Sequence, residues 1–292
     1  VRFAFIDAQK ARYPVTMLCK TLDVSESGYH AWKKRSPSKR SIENTLITTH
    51  IKASFKRSRE TYGSPRLTED LRGNDVKVGR HRIARLMREA GIRAKKPPRW
   101  KKTTNSRHDL PRAPNLVERR WAEMATAPNK LWVSDLTYIW TWQGWVYLCV
   151  FLDVFSRKVV GWKVDETMEA HVVTDAAKMA MVRRSPGPGL IMHSDQGSQY
   201  ASHLYRNLID ENGFLRSMSR KGDCWDNAVA ESFFASIKGD LLDRRSWATR
   251  AQVEAAIGEW IEAFYNGERR HSALGYVSPI DYERLTREAL AA

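Results

Sequence analysis

The spacing of apolar residues changes near residue 121. Before it the apolar positions recur at helical intervals, and after it they alternate or run continuously, as strands do. From residue 3 to 35 the pattern predicts three short helices. One covers 14–22, with Pro14 in the first turn, where a missing N–H costs nothing. Asp23-Val-Ser25 reads as a turn, and 25–35 as a helix capped by Ser25. This helix-turn-helix outline presents Tyr29, His30, Lys33 and Lys34 on its second helix. A second helical unit follows. It has a long helix over 41–56, a break at Tyr62-Gly-Ser-Pro-Arg66 with Ser64 as cap and Pro65 at the first position, and a helix over 79–90 ended by Gly91. Ile83, Leu86 and Met87 form the apolar stripe of that last helix, with Arg80, Arg82, Arg85 and Arg88 around it.

Strands are predicted at 131–140, 145–152 and 157–164. Gln143-Gly144 and Phe155-Ser156 link them tightly, so the three should be antiparallel. The middle one is almost wholly apolar, as a strand buried on both faces would be. Helices and strands then alternate: helix 166–184, strand 189–194, helix 199–212, strand 214–218, helix 226–242. The order βββαβαβα predicts an α/β core of the ribonuclease H-like layout behind all-α helix-turn-helix units. The boundaries that follow are a first unit at 1–40, a second at 41–92, a linker at 93–120, the core at 121–242 and a helical extension at 243–292.

Charge sharpens this division. The net charge is +16, and it is concentrated at the front. Residues 1–125 hold 30 Lys and Arg against 12 Asp and Glu, while 126–292 hold 19 against 21. A basic front end on a near-neutral core suits a polyanion. The linker run Arg93-Ala-Lys-Lys-Pro-Pro-Arg-Trp-Lys-Lys102 has six Lys and Arg in ten residues, which suits phosphate contacts. The expected DNA-contacting residues are therefore Arg80, Arg82 and Arg85 on the third helix and Lys95, Lys96, Arg99, Lys101 and Lys102 in the linker. Three scattered cysteines give neither a disulfide framework nor a zinc site. With no apolar stretch long enough for a membrane span, the sequence reads as a cytoplasmic protein.

Three acidic residues stand out in this frame. Asp135 lies on the first strand, on one face with Val133, Thr137 and Ile139. Asp195 ends a short apolar strand. Glu231 lies on the last core helix, where Asn227, Glu231 and Lys238 fall within about 40° of one another. Singly, each has a plain structural reading as a core Asp, a turn former or a solvated helix residue. Together in this order they can hold two divalent cations, which clamp the attacking and leaving oxygens of a phosphodiester exchange. Asn227 and His193 would support that site, although His193 reads equally well as a satisfied core histidine. Asp153 reads as a turn residue and Asp226 as a helix cap.

The motifs Trp132-Val-Ser-Asp-Leu-Thr-Tyr138, His193-Ser-Asp-Gln-Gly-Ser-Gln-Tyr200, Asp226-Asn-Ala-Val-Ala-Glu-Ser-Phe-Phe234 with Lys238, and Tyr265-Asn-Gly-Glu-Arg-Arg-His-Ser-Ala-Leu-Gly-Tyr276 together resemble insertion-sequence transposases. The resemblance is to the DDE class with a retroviral-integrase-like core, of the type encoded by a second reading frame. It implies a metal triad of Asp135, Asp195 and Glu231, with Mg²⁺ as cofactor, Mn²⁺ as substitute and two ions per site. Lys238, Arg269 and Arg270 would contact DNA. The implied partners are double-stranded DNA at the element's terminal repeats and at the target, further copies of the chain, and an upstream-frame protein or fusion. The enzyme would act in a bacterial cytoplasm, on the nucleoid when bound to DNA. A nuclease that cuts without joining and a DNA-binding regulator with an inactive core are the competing readings.

Overall fold

A computed structural model describes residues 1–94, 112–220 and 227–291. The chain divides into two compact units, Val1–Lys52 and Ala53–Ala292. In the first, α1 (Arg2–Gln9), α2 (Val15–Thr21) and α3 (Glu26–Lys34) enclose a small core of Ile6, Leu18, Cys19 and Tyr29. Ser25 caps α3 as expected, accepting from the Gly28 N–H at 3.1 Å. His30, Lys33 and Lys34 are exposed, but Tyr29 is not presented to solvent. Its ring packs with Ile6, Leu18 and Cys19 because it lies on the side of α3 turned to the other two helices, and its hydroxyl donates to Asp7 at 2.8 Å.

Helix α4 (Lys39–Arg57) runs across the boundary between the units. In the second unit α5 (Ser64–Gly73) and α6 (Arg80–Glu89) pack together on Leu67, Leu71, Ile83, Leu86 and Met87. Gly63, rather than Ser64, is the N-cap of α5, so Ser64 is already helical and accepts from Thr68 Oγ1 through its carbonyl. The short α7 (Trp121–Met124) precedes the sheet.

The sheet has five strands in the order β3-β2-β1-β4-β5. They are β1 (Leu131–Thr141), β2 (Gly144–Asp153), β3 (Val159–Asp165), β4 (Ile191–Ser194) and β5 (Leu215–Met218). The first three are antiparallel, and β1, β4 and β5 are parallel to one another. This is the mixed sheet of a ribonuclease H-like core. Gly144 turns the β1–β2 hairpin at φ +106°, a conformation costly for any residue with a Cβ.

Helices cover both faces. On one, α8 (Ala170–Arg184), α9 (Ser198–Ala201) and α10 (His203–Glu211) bury Val172, Val173, Ala176, Ala180, Tyr205 and Ile209 against Trp132, Phe151 and Val160. Gly161 allows this approach, since a Cβ there would meet the Ala176 carbonyl at 2.3 Å. On the other face α11 (Ala228–Asp240) lays Ala230, Phe233, Phe234 and Ile237 on Val133, Ile139 and Leu148. Helix α12 (Arg250–Glu259), a π-helical continuation over Trp260–Tyr265 and α13 (Pro279–Ala291) complete the chain. No helix among the described residues is long and apolar enough to cross a membrane.

Two helices differ from their sequence expectations. Helix α8 begins at Ala170 rather than 166, because Asp165 Oδ1 accepts from the Thr167 N–H and holds 165–167 in a turn. The helix expected over 199–212 is broken at Ser202, whose hydroxyl caps α10 by accepting from Tyr205 N.

Candidate active site

Strand pairing brings the first two carboxylates together. Leu131 lies opposite Ile191, Trp132 opposite Met192 and Val133 opposite His193, each pair sixty residues apart in sequence. Asp135 and Asp195 keep that spacing two residues beyond the last pair, so they lie side by side where β4 has ended and β1 runs on alone. Asp135 Oδ1 accepts from the Leu136 N–H at 2.8 Å. Asp195 Oδ1 accepts from the Gly197 N–H at 2.9 Å, which turns the chain into α9. The third carboxylate comes from α11, whose apolar side packs on β1 and holds Glu231 half-buried in its first turn.

Electrostatics ties the three together. Burial pushes the Asp135 carboxyl well above the usual carboxylate range. The charge of Asp195 adds to the shift and that of Glu231 contributes less, while the Leu136 N–H and Lys238 oppose it. Burial also raises Glu231. Lys238 is lowered by burial and held up by Asp243 and Asp135, and its Nζ lies 6.0 Å from the centre of the Tyr138 ring. Asp135, Asp195 and Lys238 are thus linked electrostatically, with Glu231 a weaker influence on Asp135.

Among the described residues no three His, Cys, Asp or Glu side chains form a ready-made cage. The donor set nevertheless suits a hard divalent cation. Carboxylate oxygens are its preferred ligands, and a cation relieves repulsion that otherwise favours protonation. Asn227, one turn before Glu231, also has a buried Oδ1 with no hydrogen-bond partner.

The other sequence-selected residues fall into distinct places. His193 is buried and its Nδ1 bonds Ser217 Oγ at 2.8 Å, with the Trp121 ring edge-on at 5.6 Å, so its nitrogen is engaged in the core. Asp153 is fully buried and does more than form a turn. It accepts from the N–H groups of Asn129 (2.7 Å) and Phe155 (3.0 Å) and from Trp132 Nε1 (3.3 Å). Arg80 is exposed, Arg82 half-buried, and Arg85 pairs with Glu89 at 2.8 Å. Arg269 is 4% exposed and pairs with Asp240 at 2.9 Å. Arg270 binds Asp70 at 3.0 Å, and its N–H donates to the Tyr62 hydroxyl at 2.7 Å. Both arginines join elements of the second unit. Lys95, Lys96, Arg99, Lys101, Lys102 and the Asp226 cap lie outside the described residues.

Sequence reading passed over the other face of the β1–β2 hairpin, where Tyr138, Trp140, Trp142 and Trp145 stand exposed. The available signal was the alternation of aromatic residues with Thr137, Ile139 and Thr141, which pairs Trp140 with Trp145 across the hairpin.

A mixed five-stranded sheet with one carboxylate on its central strand, a second just past the end of the adjoining parallel strand and a third on the packing helix is the arrangement of the integrase-type polynucleotidyl transferases, a divalent-metal-dependent class. Comparison with known families agrees. The integrase core domain family matches residues 125–224, a second integrase core domain family matches 212–279, and an HTH-like domain family matches 41–100. A transposase of insertion sequence IS3A from Escherichia coli strain K12 is 35% identical over 97% of this chain and 98% of its own length. The transposase of insertion sequence element IS904 from Lactococcus lactis is 40% identical over 86% of this chain and 98% of its own. A 31 kDa protein of insertion element IS600 from Shigella sonnei is 43% identical over 90% of this chain and 96% of its own. The catalytic core domain of BIV integrase, a crystal structure, aligns with 56% of this chain and 99% of that one at 19% identity and a TM-score of 0.42. The chain belongs to the insertion-sequence transposases, enzymes of DNA transposition and integration.

Proposed function

We propose that Asp135, Asp195 and Glu231 are the catalytic carboxylates and that they hold two Mg²⁺ ions, with Mn²⁺ able to substitute. The observation that carries this is the parallel register of β1 and β4, which sets Asp135 beside Asp195 below the helix bearing Glu231. When bound, such ions supply Lewis acidity and a nucleophile at neutral pH. The carboxylates would hold those ions in place, and the half-buried notch limits access of bulk water. Lys238, about 10 Å beyond Glu231 at 1.5 Å per residue, places a positive charge beside the DNA backbone. Asn227, with a buried Oδ1 that lacks a hydrogen-bond partner, lies one turn before Glu231 and would support the same site.

The reaction has two steps. Water attacks a phosphodiester at the element end and expels the element's 3′ oxygen, leaving a 3′-hydroxyl. That hydroxyl attacks a target phosphodiester, forms the new bond and expels the target's 3′ oxygen. The helical units and the basic segment around 93–102 would grip terminal repeats and target DNA, and two ends handled together call for more than one copy of the chain. An upstream-frame protein, separate or fused, would complete recognition of the ends.

The decisive experiment incubates the chain with labelled element-end DNA and Mg²⁺. Joined product is expected. Cleavage without joining would make the chain a nuclease, and binding without chemistry a regulator.

A further inference from the structure

An exposed aromatic platform lies beside the carboxylate notch. Strand β4 pairs with β1 only as far as Val133 and β3 pairs with β2 only from Tyr147 onward, so 139–141 and 144–146 project as a two-stranded arm with Tyr138 and Tyr147 at its base. The arm's face opposite Asp135 carries Tyr138, Trp140 and Trp145, with Trp142 at its tip. Trp142 is 73% exposed and Trp140 55%. Such rings are expensive to leave in water without a partner. They are packed edge to face rather than stacked. Tyr138 and Trp145 are 5.1 Å apart at 88°, and Trp140 and Trp145 4.9 Å apart at 69°. Cations frame the patch: Lys238 lies over Tyr138, and Arg245 lies 4.1 Å above Trp247, whose carbonyl accepts from the Trp142 N–H.

Aromatic faces flanked by cations are the surface that single-stranded nucleic acid recognises, bases stacking on the rings and phosphates meeting the charges. A duplex does not offer the same complement, because its base faces are covered by their neighbours. A second copy pairing through the same face would bring its own Lys238 and Arg245 against these cations. The position also fits: Lys238 lies 6.0 Å from the centre of the Tyr138 ring and also feels the charge of Asp135, so it joins the edge of the patch to the notch. We infer that the β1–β2 arm is a stacking platform for unpaired nucleotides next to the scissile phosphate, with Trp140 and Trp145 as its main contacts. They are positioning residues for the DNA strand, not catalytic ones. This inference rests on the chain's action on DNA ends.

The test uses the full chain and two fluorescein-labelled DNAs of equal duplex length, one blunt and one with an oligo(dT) tail, compared by anisotropy titration. The wild type should prefer the tailed DNA, and the double variant Trp140→Ala/Trp145→Ala should lose on the order of tenfold in affinity for it. Binding of blunt duplex should stay within about twofold, and Trp140→Phe should retain most of the preference because it keeps an aromatic face. A wild type that binds both DNAs equally but joins element ends would overturn the platform and leave the transposase reading standing. Failure to bind either DNA would overturn both. If the double variant kept its tail preference but changed from dimer to monomer in sedimentation, the patch would be a chain–chain interface and the inference would fail.

Discussion

Asp135 is held in an unfavourable electrostatic position, desolvated and beside Asp195. Two outcomes follow for Asp135→Asn. Cleavage and joining should fall by at least about a hundredfold, equivalent to roughly 3 kcal/mol of barrier, since a neutral amide replaces a hard anionic ligand. The melting temperature of the metal-free chain should rise, because the substitution removes the repulsion, and the stabilisation that Mg²⁺ gives the wild type should disappear. Thermal melts with and without Mg²⁺, run beside a joining assay, check both; a metal-free variant less stable than wild type would contradict the electrostatic account. Lys238→Ala separates the other residue of the notch. Cleavage of element-end DNA should drop while melting stays nearly unchanged, whereas wild-type rates would mean that its charge does not reach the DNA.

Two ionic joints fasten elements that the sheet alone does not hold. Arg184 at the end of α8 donates to both oxygens of Glu283 on α13 at 2.9 Å and approaches Asp153 at 3.5 Å. The two carboxylates respond differently to this shared cation. Burial would raise Glu283, but the hydrogen bonds from Arg184 and Ser156 prevail and hold it below its ordinary range. Asp153 has the more distant contact and burial prevails, so it is raised. A carboxyl lowered on folding stabilises the protein fully above its unfolded value and stops doing so as the pH falls through the folded one. Acidification below the ordinary glutamate range should therefore cost the wild type more stability than it costs Glu283→Gln, which melting curves across that range would reveal. Asp153 acts with the opposite sign in both proteins, so it moderates the loss in each and largely cancels from the comparison. Arg184→Met leaves two buried carboxylates facing each other and should destabilise by about 3–5 kcal/mol. The second joint, Arg269 with Asp240 and Arg270 with Asp70, links α11 and α5 to the segment before α13. Arg269→Ala should consequently lower the melting temperature, with any loss of DNA affinity tracking the unfolded fraction.

On the scale of the whole molecule, positive charge is segregated at the front of the chain. Release of counterions from neutralised phosphates makes binding to duplex DNA fall steeply with salt. Deleting residues 1–35, which hold an independent small core, should flatten that salt dependence and leave the second unit folded. An unchanged slope in anisotropy titrations over about 50–200 mM salt would assign the contacts to other segments. A cut after residue 115 would be a poorer experiment, because Asp70 and Tyr62 would lose Arg270 and the helices α5 and α6 would lose their support.

Periodicity alone determined the order of strands and helices, the antiparallel hairpins and the apolar side of α11, because each is written in spacings of two or about 3.6 residues. Asp135, Asp195 and Glu231 could be picked out as candidates because a carboxylate among apolar strand residues, another at a strand end and a third on a helix stripe rarely occur together in that order without a reason. Tertiary structure decided the rest. The register of β1 on β4 brought Asp135 and Asp195 together across sixty residues. A bare helical pattern could not distinguish a DNA-facing arginine from Arg269, which is turned inward onto Asp240. Nor could local spacing tell that Tyr29 fills a core while Trp140 and Trp142 do not. Exposure depends on which distant elements cover a face, and Trp140 and Trp142 are left uncovered. Sequence spacing therefore chose the elements and the chemistry they carry, while long-range packing decided which side chains meet and which remain in water.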